Sequence, residues 1–470
     1  MRTLKLFIAA AALCAGSAAY AQAARTGMQG VGYQQSAGLN IAPNQPADLF
    51  HAGGVAACDG CHVMHNANGG QAKSTTGLGA SVAPWSNVTN AYLLQGSDQS
   101  STCLICHAGT SSATSPEYLV ADTNGSALPT GRTPGGDFGW LTENGFARNG
   151  HNVIARDFPG AFPVDGMNRA PGGAWAGGAG LRAFACSSCH DPHGRYRMQV
   201  DAARPYGVTF VGPNTNNILP DTALPIAGTS SFGAAPTGTY AVGSYRLLAG
   251  VNYAPASNSS YAFVNDPPVA VAPLNYNRSE ATSEVRVAYG TGMSEWCQNC
   301  HTSVHLNGYT SGVAGLRHPA GSTAKLRASQ IAVYNTYLSS GRLDSTLTSN
   351  YSSLVPFEQG RAATSLAALV ADAANIAATD ESTVMCLSCH RAHAGAFDSM
   401  LRWDGNATFL TDGAGYTATP GGGGTGPVQP RSVAQAFAGY YDRPVGAATA
   451  NGTTIGRYQR SLCNKCHGKD

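Results

Sequence analysis

The sequence repeats one short arrangement of two cysteines and a histidine, C-x-x-C-H, six times. Two thiols at this spacing can add to the two vinyl groups on one edge of a porphyrin, and the histidine that follows can become the proximal ligand of its iron. This is the attachment chemistry of c-type haem. The motifs, numbered 1 to 6 in chain order, are Cys58/Cys61/His62, Cys103/Cys106/His107, Cys186/Cys189/His190, Cys297/Cys300/His301, Cys386/Cys389/His390 and Cys463/Cys466/His467.

The number of cysteines supports this interpretation. The chain has 13 cysteines, and the six motifs use all of them except Cys14. The alternatives are disulfides, which an even cysteine count in an exported chain would suggest, and zinc sites. Zinc sites would pair two motifs and would not need a trailing histidine each time. The sequence therefore predicts six haem c groups per chain.

The N-terminal residues predict export. Residues 1–21 combine a short positive region, an uncharged apolar run and the small-x-small sequence Ala19-Tyr20-Ala21. This combination is typical of a secretory signal peptide, with cleavage expected near residues 21–23. The apolar run is too short to span a membrane, so we expect an exported chain with no transmembrane segment.

The histidines outside the motifs are candidate distal ligands of the haem irons. Six irons with two imidazole ligands each need six further histidines, and seven are available. Iron with both axial positions filled has no vacant site for substrate or oxygen, and it transfers single electrons. The candidates, of which six are required, are His51, His65, His151, His193, His305, His318 and His393.

Four of these candidates follow a proximal histidine closely. His65, His193 and His393 come three residues after it, and His305 comes four residues after it. On a helix this spacing is one turn. Such a side chain cannot reach the opposite face of its own haem, because the porphyrin blocks it, but it can point at the iron of a neighbouring haem. The alternative is a set of surface histidines that cap short helices.

The composition indicates how these residues are positioned. Only 11% of the residues are charged, and the chain contains 58 glycines and 25 prolines. We expect mostly irregular coil with short helices and few strands, organised around a continuous chain of six covalently bound haems. We expect residues 22–49 to form an extended arm and residues 50–470 to form the hexahaem domain. Helices are predicted at 323–338, 363–378 and 433–440, and loops with a few short strands at 208–273 and 408–430.

Charge excludes some classes of partner. The formal net charge is +2, and loss of the signal peptide with Arg2 and Lys5 brings it to zero. Twelve haem propionates would then make the loaded protein negative. Nothing basic points to nucleic acid or to an anionic membrane surface.

Several long stretches resemble one family of proteins. They are "FHAGGVAACDGCHVMHN", "TPGGDFGW", "CSSCHDPHG", "RVAYGTGMSEWCQNCH", "LRHPAG", "CLSCHRAHAGAFDSM" and "LCNKCHGKD". Together they resemble the hexahaem outer-surface c-type cytochromes that polymerise into filaments, or nanowires, and the likeness runs from residue 50 to residue 470. The resemblance implies a continuous file of haems that extends across head-to-tail contacts between protomers. It also implies that His65 ligates the haem held by Cys386, Cys389 and His390 in the neighbouring protomer.

The predicted function is therefore long-range electron transfer at the cell exterior. The partners are further copies of the chain in a helical homopolymer, and redox proteins at the outer surface. The filament would deliver respiratory electrons to extracellular acceptors, and we predict no catalytic residues. One alternative is a non-polymeric periplasmic or surface electron shuttle. The other is a multihaem reductase, which would need a five-coordinate haem or a modified motif with lysine, and the surplus of histidines argues against it.

Overall fold

The computed structural model describes residues 61–63, 92–109, 119–122, 128–129, 133, 135–141, 149–158, 184–194, 196–204, 207–211, 242–255, 261–271, 288–302, 318–336, 356–360, 378–405, 407–418, 430–446 and 455–467. Four predicted haem residues lie outside the described residues, namely Cys58, His51, His65 and His305. The predicted signal peptide, the arm and nearly all of the helix candidate at 363–378 also lie outside them.

The described helices are short, and most of them belong to haem motifs. Helix α1 contains all of motif 2, α2 ends at the first cysteine of motif 4, and α4 runs between the two cysteines of motif 5. Asp98 caps α1, because its side chain accepts a hydrogen bond from the Ser101 amide. The helices are α1 (Gln99–His107), α2 (Met293–Cys297), α3 (Ala328–Thr336), α4 (Cys386–Cys389) and α5 (Val433–Gly439), with 3-10 helices at Phe138–Leu141, Cys186–Ser188, Tyr245–Leu247, Asp398–Met400 and Leu462–Lys465.

The described strands form three small sheets. The first is antiparallel with the order β2-β1-β3, the second is an antiparallel pair of β4 and β5, and the third is a parallel pair of β6 and β7. Sheets of this size are not stable alone, so they depend on packing against their surroundings. The strands are β1 (Arg197–Val200), β2 (Val208–Val211), β3 (Val242–Gly243), β4 (Val269–Val271), β5 (Ala288–Thr291), β6 (Val445–Gly446) and β7 (Ile455–Gly456).

The predicted elements can be compared with these bounds. The prediction at 433–440 is confirmed by α5, whose N-terminus carries a capping box between Ser432 and Gln435. The helix predicted at 323–338 begins only at Ala328. The preceding residues pair instead with a neighbouring segment, since the Leu326 amide donates to the Ser382 carbonyl at 2.9 Å. Strands β2, β3 and β4 are the few short strands expected between residues 208 and 273.

The buried apolar residues form separate clusters. The largest cluster includes Trp140, Leu141 and Tyr334, whereas a second surrounds Tyr289 and Met293. The predicted fold class is confirmed: the described chain is mostly coil with few helices and strands. Within the described residues, no helix has the length and apolar character required to cross a bilayer.

Candidate haem sites

The backbone of the motifs places the cysteines and the proximal histidine on one side of a single turn. In four motifs the amide of the proximal histidine donates to the carbonyl of the first cysteine, at 2.9 to 3.0 Å. This hydrogen bond closes the turn over the motif, so that both sulfurs and the imidazole can face one porphyrin. The pairs are His190 to Cys186, His301 to Cys297, His390 to Cys386 and His467 to Cys463.

The second cysteines of motifs 2 and 6 lie on different kinds of turn. Cys106 is half-buried in the last turn of α1, directly before His107. Cys466 is half-buried just after the 3-10 helix at Leu462–Lys465, its amide donates to the Cys463 carbonyl at 3.2 Å, and its side chain packs against the largest apolar cluster. None of the eleven motif cysteines in the described part of the chain, these two included, is in a disulfide. Their thioether bonds to haem stay a prediction from the motif.

A second set of hydrogen bonds orients the proximal imidazoles. The Nδ1–H of His62 donates to the carbonyl of Tyr92 at 2.7 Å, and that of His190 donates to the carbonyl of Arg246 at 2.7 Å. The Nδ1–H of His390 donates to the carbonyl of Ser399 at 2.8 Å. Because a carbonyl can only accept, Nδ1 carries the proton and Nε2 is left to bind a metal.

The three motifs oriented in this way, motifs 1, 3 and 5, share one local structure. In each, the proximal histidine forms an antiparallel bridge with a leucine that lies two residues after the accepting carbonyl; the bridges are His62 with Leu94, His190 with Leu248 and His390 with Leu401. The backbone hydrogen bonds on either side of the bridge also recur. They are Val63 to Leu93, Asp191 to Leu247 and Arg391 to Met400 on one side, and Gln95 to Cys61, Ala249 to Cys189 and Arg402 to Cys389 on the other.

This recurring structure depends on an uncommon backbone conformation. The residue directly before the bridging leucine has positive φ in all three motifs although it is not glycine: Leu93 at 52°, Leu247 at 55° and Met400 at 61°. Non-glycine residues adopt this region at a cost in energy and do so mostly at functional sites. Here the turn directs a carbonyl at the Nδ1 of a proximal histidine.

The even-numbered motifs contact the odd-numbered motifs that follow them in a repeated manner. The Ser100 hydroxyl, three residues before the first cysteine of motif 2, accepts the amide of Cys186 at 3.2 Å. The Ser294 hydroxyl, three residues before the first cysteine of motif 4, accepts the amide of Cys386 at 3.1 Å. In both contacts the sulfurs of the two first cysteines also meet, Cys103 with Cys186 and Cys297 with Cys386. The structural repeat therefore contains two haem motifs.

Consecutive motifs are neighbours in space. Cys103 lies within electrostatic range of Cys61 as well as of Cys186. Cys300 lies within the same range of Cys189, and Cys389 of the cysteines of motif 6, Cys463 and Cys466. The attachment sites therefore form a single file in the order of the sequence.

Four of the distal candidates lie opposite a proximal histidine of a different motif. A metal–imidazole bond of about 2.0–2.1 Å, with a coordinating nitrogen about 1.1 Å from the ring centre, places the centroids of two axial imidazoles roughly 6.3 Å apart. The four observed centroid distances lie close to this value. They are 6.5 Å for His62 with His193, 6.3 Å for His190 with His393, 6.1 Å for His301 with His151 and 6.0 Å for His467 with His318. The residues present fit an iron between each pair.

The four pairs share a step of two motifs: each distal candidate faces the motif that lies two places before or after the motif that it follows. His193, just after motif 3, faces motif 1, and His393, just after motif 5, faces motif 3. His151, between motifs 2 and 3, faces motif 4, and His318, between motifs 4 and 5, faces motif 6. Each distal candidate in the described residues thus faces the proximal histidine of a motif two places from the motif that it follows.

The helical reason for the three-residue spacing is wrong at motif 5. Helix α4 ends at Cys389, and His390 has an extended backbone with φ −111° and ψ 157°. His393 then forms its own contacts, since its amide donates to the Gly135 carbonyl at 2.7 Å and its carbonyl accepts the His151 amide at 2.9 Å. The direction of His393 is therefore set by chain crossings rather than by a helical turn.

Burial keeps three of the opposed imidazoles neutral. Desolvation, aided by the nearby imidazole of His301, lowers the pKa of His151 to about 4. Desolvation, aided by His190, lowers the pKa of His393 to about 3, and burial also lowers the pKa of His190. Only the neutral imidazole can bind a metal, so these sites hold their histidines in the binding form at neutral pH.

Similar proteins of known identity match most of the chain. The chain is 42% identical over 448 residues to the C-type cytochrome OmcS of Geobacter sulfurreducens. The aligned region covers 90% of this chain and 95% of that protein. Two solved structures each cover 90% of this chain and 100% of their own. One is the cryo-EM structure of the OmcS nanowires from Geobacter sulfurreducens, with a TM-score of 0.67 at 40% identity. The other is the outer membrane cytochrome S filament of the same organism, with a TM-score of 0.69 at 41% identity. No family model matches the chain.

Proposed function

The chain belongs to the family of the c-type cytochrome OmcS, and on this premise we propose that it conducts electrons along six covalently attached haems and assembles head to tail into an extracellular filament. It is an electron-transfer protein, and the filament delivers respiratory electrons to acceptors outside the cell. The haem irons, when bound, supply one-electron transfer without a vacant position for substrate.

The residues of this chain that hold the haems are the twelve motif cysteines, through thioether bonds, and the six motif histidines, as proximal ligands. The observation that carries the proposal is the set of four opposed imidazole pairs with centroids 6.0 to 6.5 Å apart. Carbonyl acceptors fix the Nδ1–H of His151 and His318, from Ala392 and Pro319, both at 2.7 Å. In these two distal ligands, as in the proximal His62, His190 and His390, Nε2 is therefore the atom left to bind the iron.

The step of two motifs assigns the remaining distal ligands. His151 precedes motif 3 and faces motif 4, and His318 precedes motif 5 and faces motif 6. The equivalent position before motif 1 is occupied by His51. We assign His51 to the haem of motif 2. His65 is equivalent to His193 and His393, and the same step leads from it to motif 5 of a second copy in a head-to-tail filament. His305 is then the spare histidine.

The repeat of two motifs also accounts for the contact between copies. Motif 6 is even-numbered, and in a filament its successor is motif 1 of the next protomer. These two motifs would form a third contact of the kind seen between motifs 2 and 3 and between motifs 4 and 5. Cys463 and His467 of motif 6 are exposed in the single chain, as such a contact requires. A head-to-tail contact that does not close on itself produces a filament.

The experiment is a comparison of His65→Ala with His305→Ala, expressed with the haem-attachment machinery. We expect both variants to carry six haems, measured as pyridine haemochrome per chain. We expect His305→Ala to form filaments in electron micrographs and His65→Ala to remain as single protomers with one haem converted to high spin. Normal filaments from His65→Ala would contradict the ligation between protomers. High-spin iron in the unmodified protein would instead favour a reductase.

A further inference from the structure

A buried acidic side chain lies between motifs 4 and 5, outside the set of haem ligands. Glu358 is 0% exposed. Its segment pairs with Thr383, whose amide donates to the Glu358 carbonyl at 2.8 Å, just before α4 and motif 5. Two residues earlier, the Pro356 carbonyl accepts the hydroxyl of Ser388, which lies inside motif 5.

The carboxyl group of Glu358 contacts the other motif. One oxygen accepts the amide of Met293 at 2.7 Å, at the first residue of α2, which ends in Cys297. The second oxygen accepts the Thr383 hydroxyl at 3.4 Å. Glu358 therefore contacts the helix that leads into motif 4 and lies within electrostatic range of Cys386 of motif 5.

The charged groups around Glu358 favour its neutral form. Glu295, on α2, is within electrostatic range, and its own Oε1 accepts the Ser322 amide at 2.7 Å. Burial, together with the charge of Glu295, raises the pKa of Glu358 to about 8.

The other titratable groups on the elements packed against Glu358 do not offset this effect. Lys325 and Glu381 pair with each other at the surface, with side chains 55% and 51% exposed. The hydroxyl of Tyr289, on β5, is hydrogen-bonded to that of Tyr245. Cys386 becomes an uncharged thioether once the haem is attached. A negative charge on Glu358 is therefore balanced by no buried cation among these groups.

We propose that Glu358 is a redox-linked proton site for the haems of motifs 4 and 5. Its carboxylate takes up one proton from solvent when an electron arrives at the adjacent iron from the neighbouring haem, and releases the proton to solvent when the electron moves on. Each cycle moves one electron in and out and binds and releases one proton, so charge and atoms balance. This inference rests on the proposed electron-transfer function.

The sign of the effect follows from electrostatics. Reduction adds negative charge beside Glu358 and favours the protonated carboxyl. Between the pKa of the oxidised state and that of the reduced state, reduction therefore binds a proton, and the reduction potential falls as pH rises. A tenfold change in proton activity corresponds to at most 59 mV for one electron, which bounds the slope per pH unit.

The test is potentiometry of intact filaments between pH 6 and pH 10, followed optically, on three variants. Glu358→Gln preserves the shape and the hydrogen-bond acceptor, and we expect it to remove one pH-dependent step. Glu295→Gln removes the neighbouring charge, and we expect the same step to move to lower pH. Glu381→Gln changes an exposed carboxylate on the adjoining segment, and we expect no change.

A second measurement does not depend on the potentials. In reduced-minus-oxidised infrared spectra, we expect the C=O band of a protonated carboxyl in the unmodified protein and in Glu295→Gln, and its loss in Glu358→Gln. If Glu358→Gln keeps both the pH-dependent step and the band, the haem propionates are the proton site and the proposal is overturned. Failure of the electron-transfer function would show differently, as high-spin iron or absent filaments in all variants. If Glu358→Gln fails to load haem, an unmoved step in Glu295→Gln overturns the proposal.

Discussion

Replacement of His151 by alanine should convert one haem in six from six-coordinate to five-coordinate iron. The His151 ring stands 6.1 Å from that of His301, centre to centre, and its Nδ1–H is fixed on the Ala392 carbonyl at 2.7 Å. Alanine offers no ligand atom. The bridge from the His151 amide to the His393 carbonyl, at 2.9 Å, is a backbone contact and survives the substitution.

The size of the effect can be stated per chain. The ferric variant should show high-spin iron equal to about one sixth of the total by electron paramagnetic resonance, and the reduced variant should bind about one carbon monoxide per chain. Loss of one neutral hydrogen bond to Ala392 adds about 1 kcal/mol of destabilisation. Added imidazole should enter the vacated position and restore the low-spin spectrum.

The matched control is His305→Ala, which removes the histidine that the step of two motifs leaves spare. This variant should stay low-spin and bind no carbon monoxide. A fully low-spin His151→Ala protein would refute the pairing of His151 with His301. Carbon monoxide uptake by His305→Ala would refute the assignment of the distal ligands as a whole.

Three further outcomes follow from the described contacts. Ser100→Ala and Ser294→Ala each remove the acceptor of a half-buried cysteine amide, so each should lower the free energy of unfolding by about 0.5–1.5 kcal/mol. Clearly unequal values in thermal melts would speak against equivalent repeats. Gly150→Ala would place a Cβ 2.4 Å from that of Ala394 and 2.5 Å from the His393 carbonyl. This variant should therefore lower the free energy of unfolding by about 1–3 kcal/mol and shift the Soret band. The control Gly405→Ala, whose Cβ would contact only the flexible end of Leu401 at 3.0 Å, should do neither. The pKa values of about 4 for His151 and about 3 for His393 in the folded state lie below the unfolded value of 6.5. The stability of the fold should therefore be highest above pH 6.5 and should fall as the pH falls from there towards 3. A melting temperature that stays constant over that interval would contradict this.

The local part of the haem sites could be predicted from the sequence. The motif spacing fixes which cysteines and which histidine share a haem, because the covalent chemistry leaves no choice. The count of histidines predicted bis-histidine iron, and the opposed pairs support that interpretation. The glycine-rich composition predicted coil, and the short described helices and strands agree with it.

The partner of each iron could not be predicted in the same way. His62 and His193, or His190 and His393, are more than a hundred residues apart, and no local rule connects them. The turns that orient motifs 1, 3 and 5 were also missed, since Leu93, Leu247 and Met400 carry no sequence signal for positive φ. The sequence feature that these three turns share is the leucine that follows each of them. A search of the sequence for a repeat of two motifs would have found it.

The same long-range pairing explains how so little regular structure forms one fold. The longest described helices, α1 and α3, have nine residues each, a length that is marginal in water without tertiary contacts. Each of the four opposed imidazole pairs joins two remote segments, and an iron bound between them would close a loop of more than a hundred residues, for which the entropic cost grows only slowly with length. Burial of several hundred Å² of porphyrin at about 25 cal/mol per Å² offsets that cost at each site. Because the proposed distal ligand comes from a segment two motifs away at each of the four described sites, none of those four sites is complete within its own segment, and the file to which they belong must form as a connected whole.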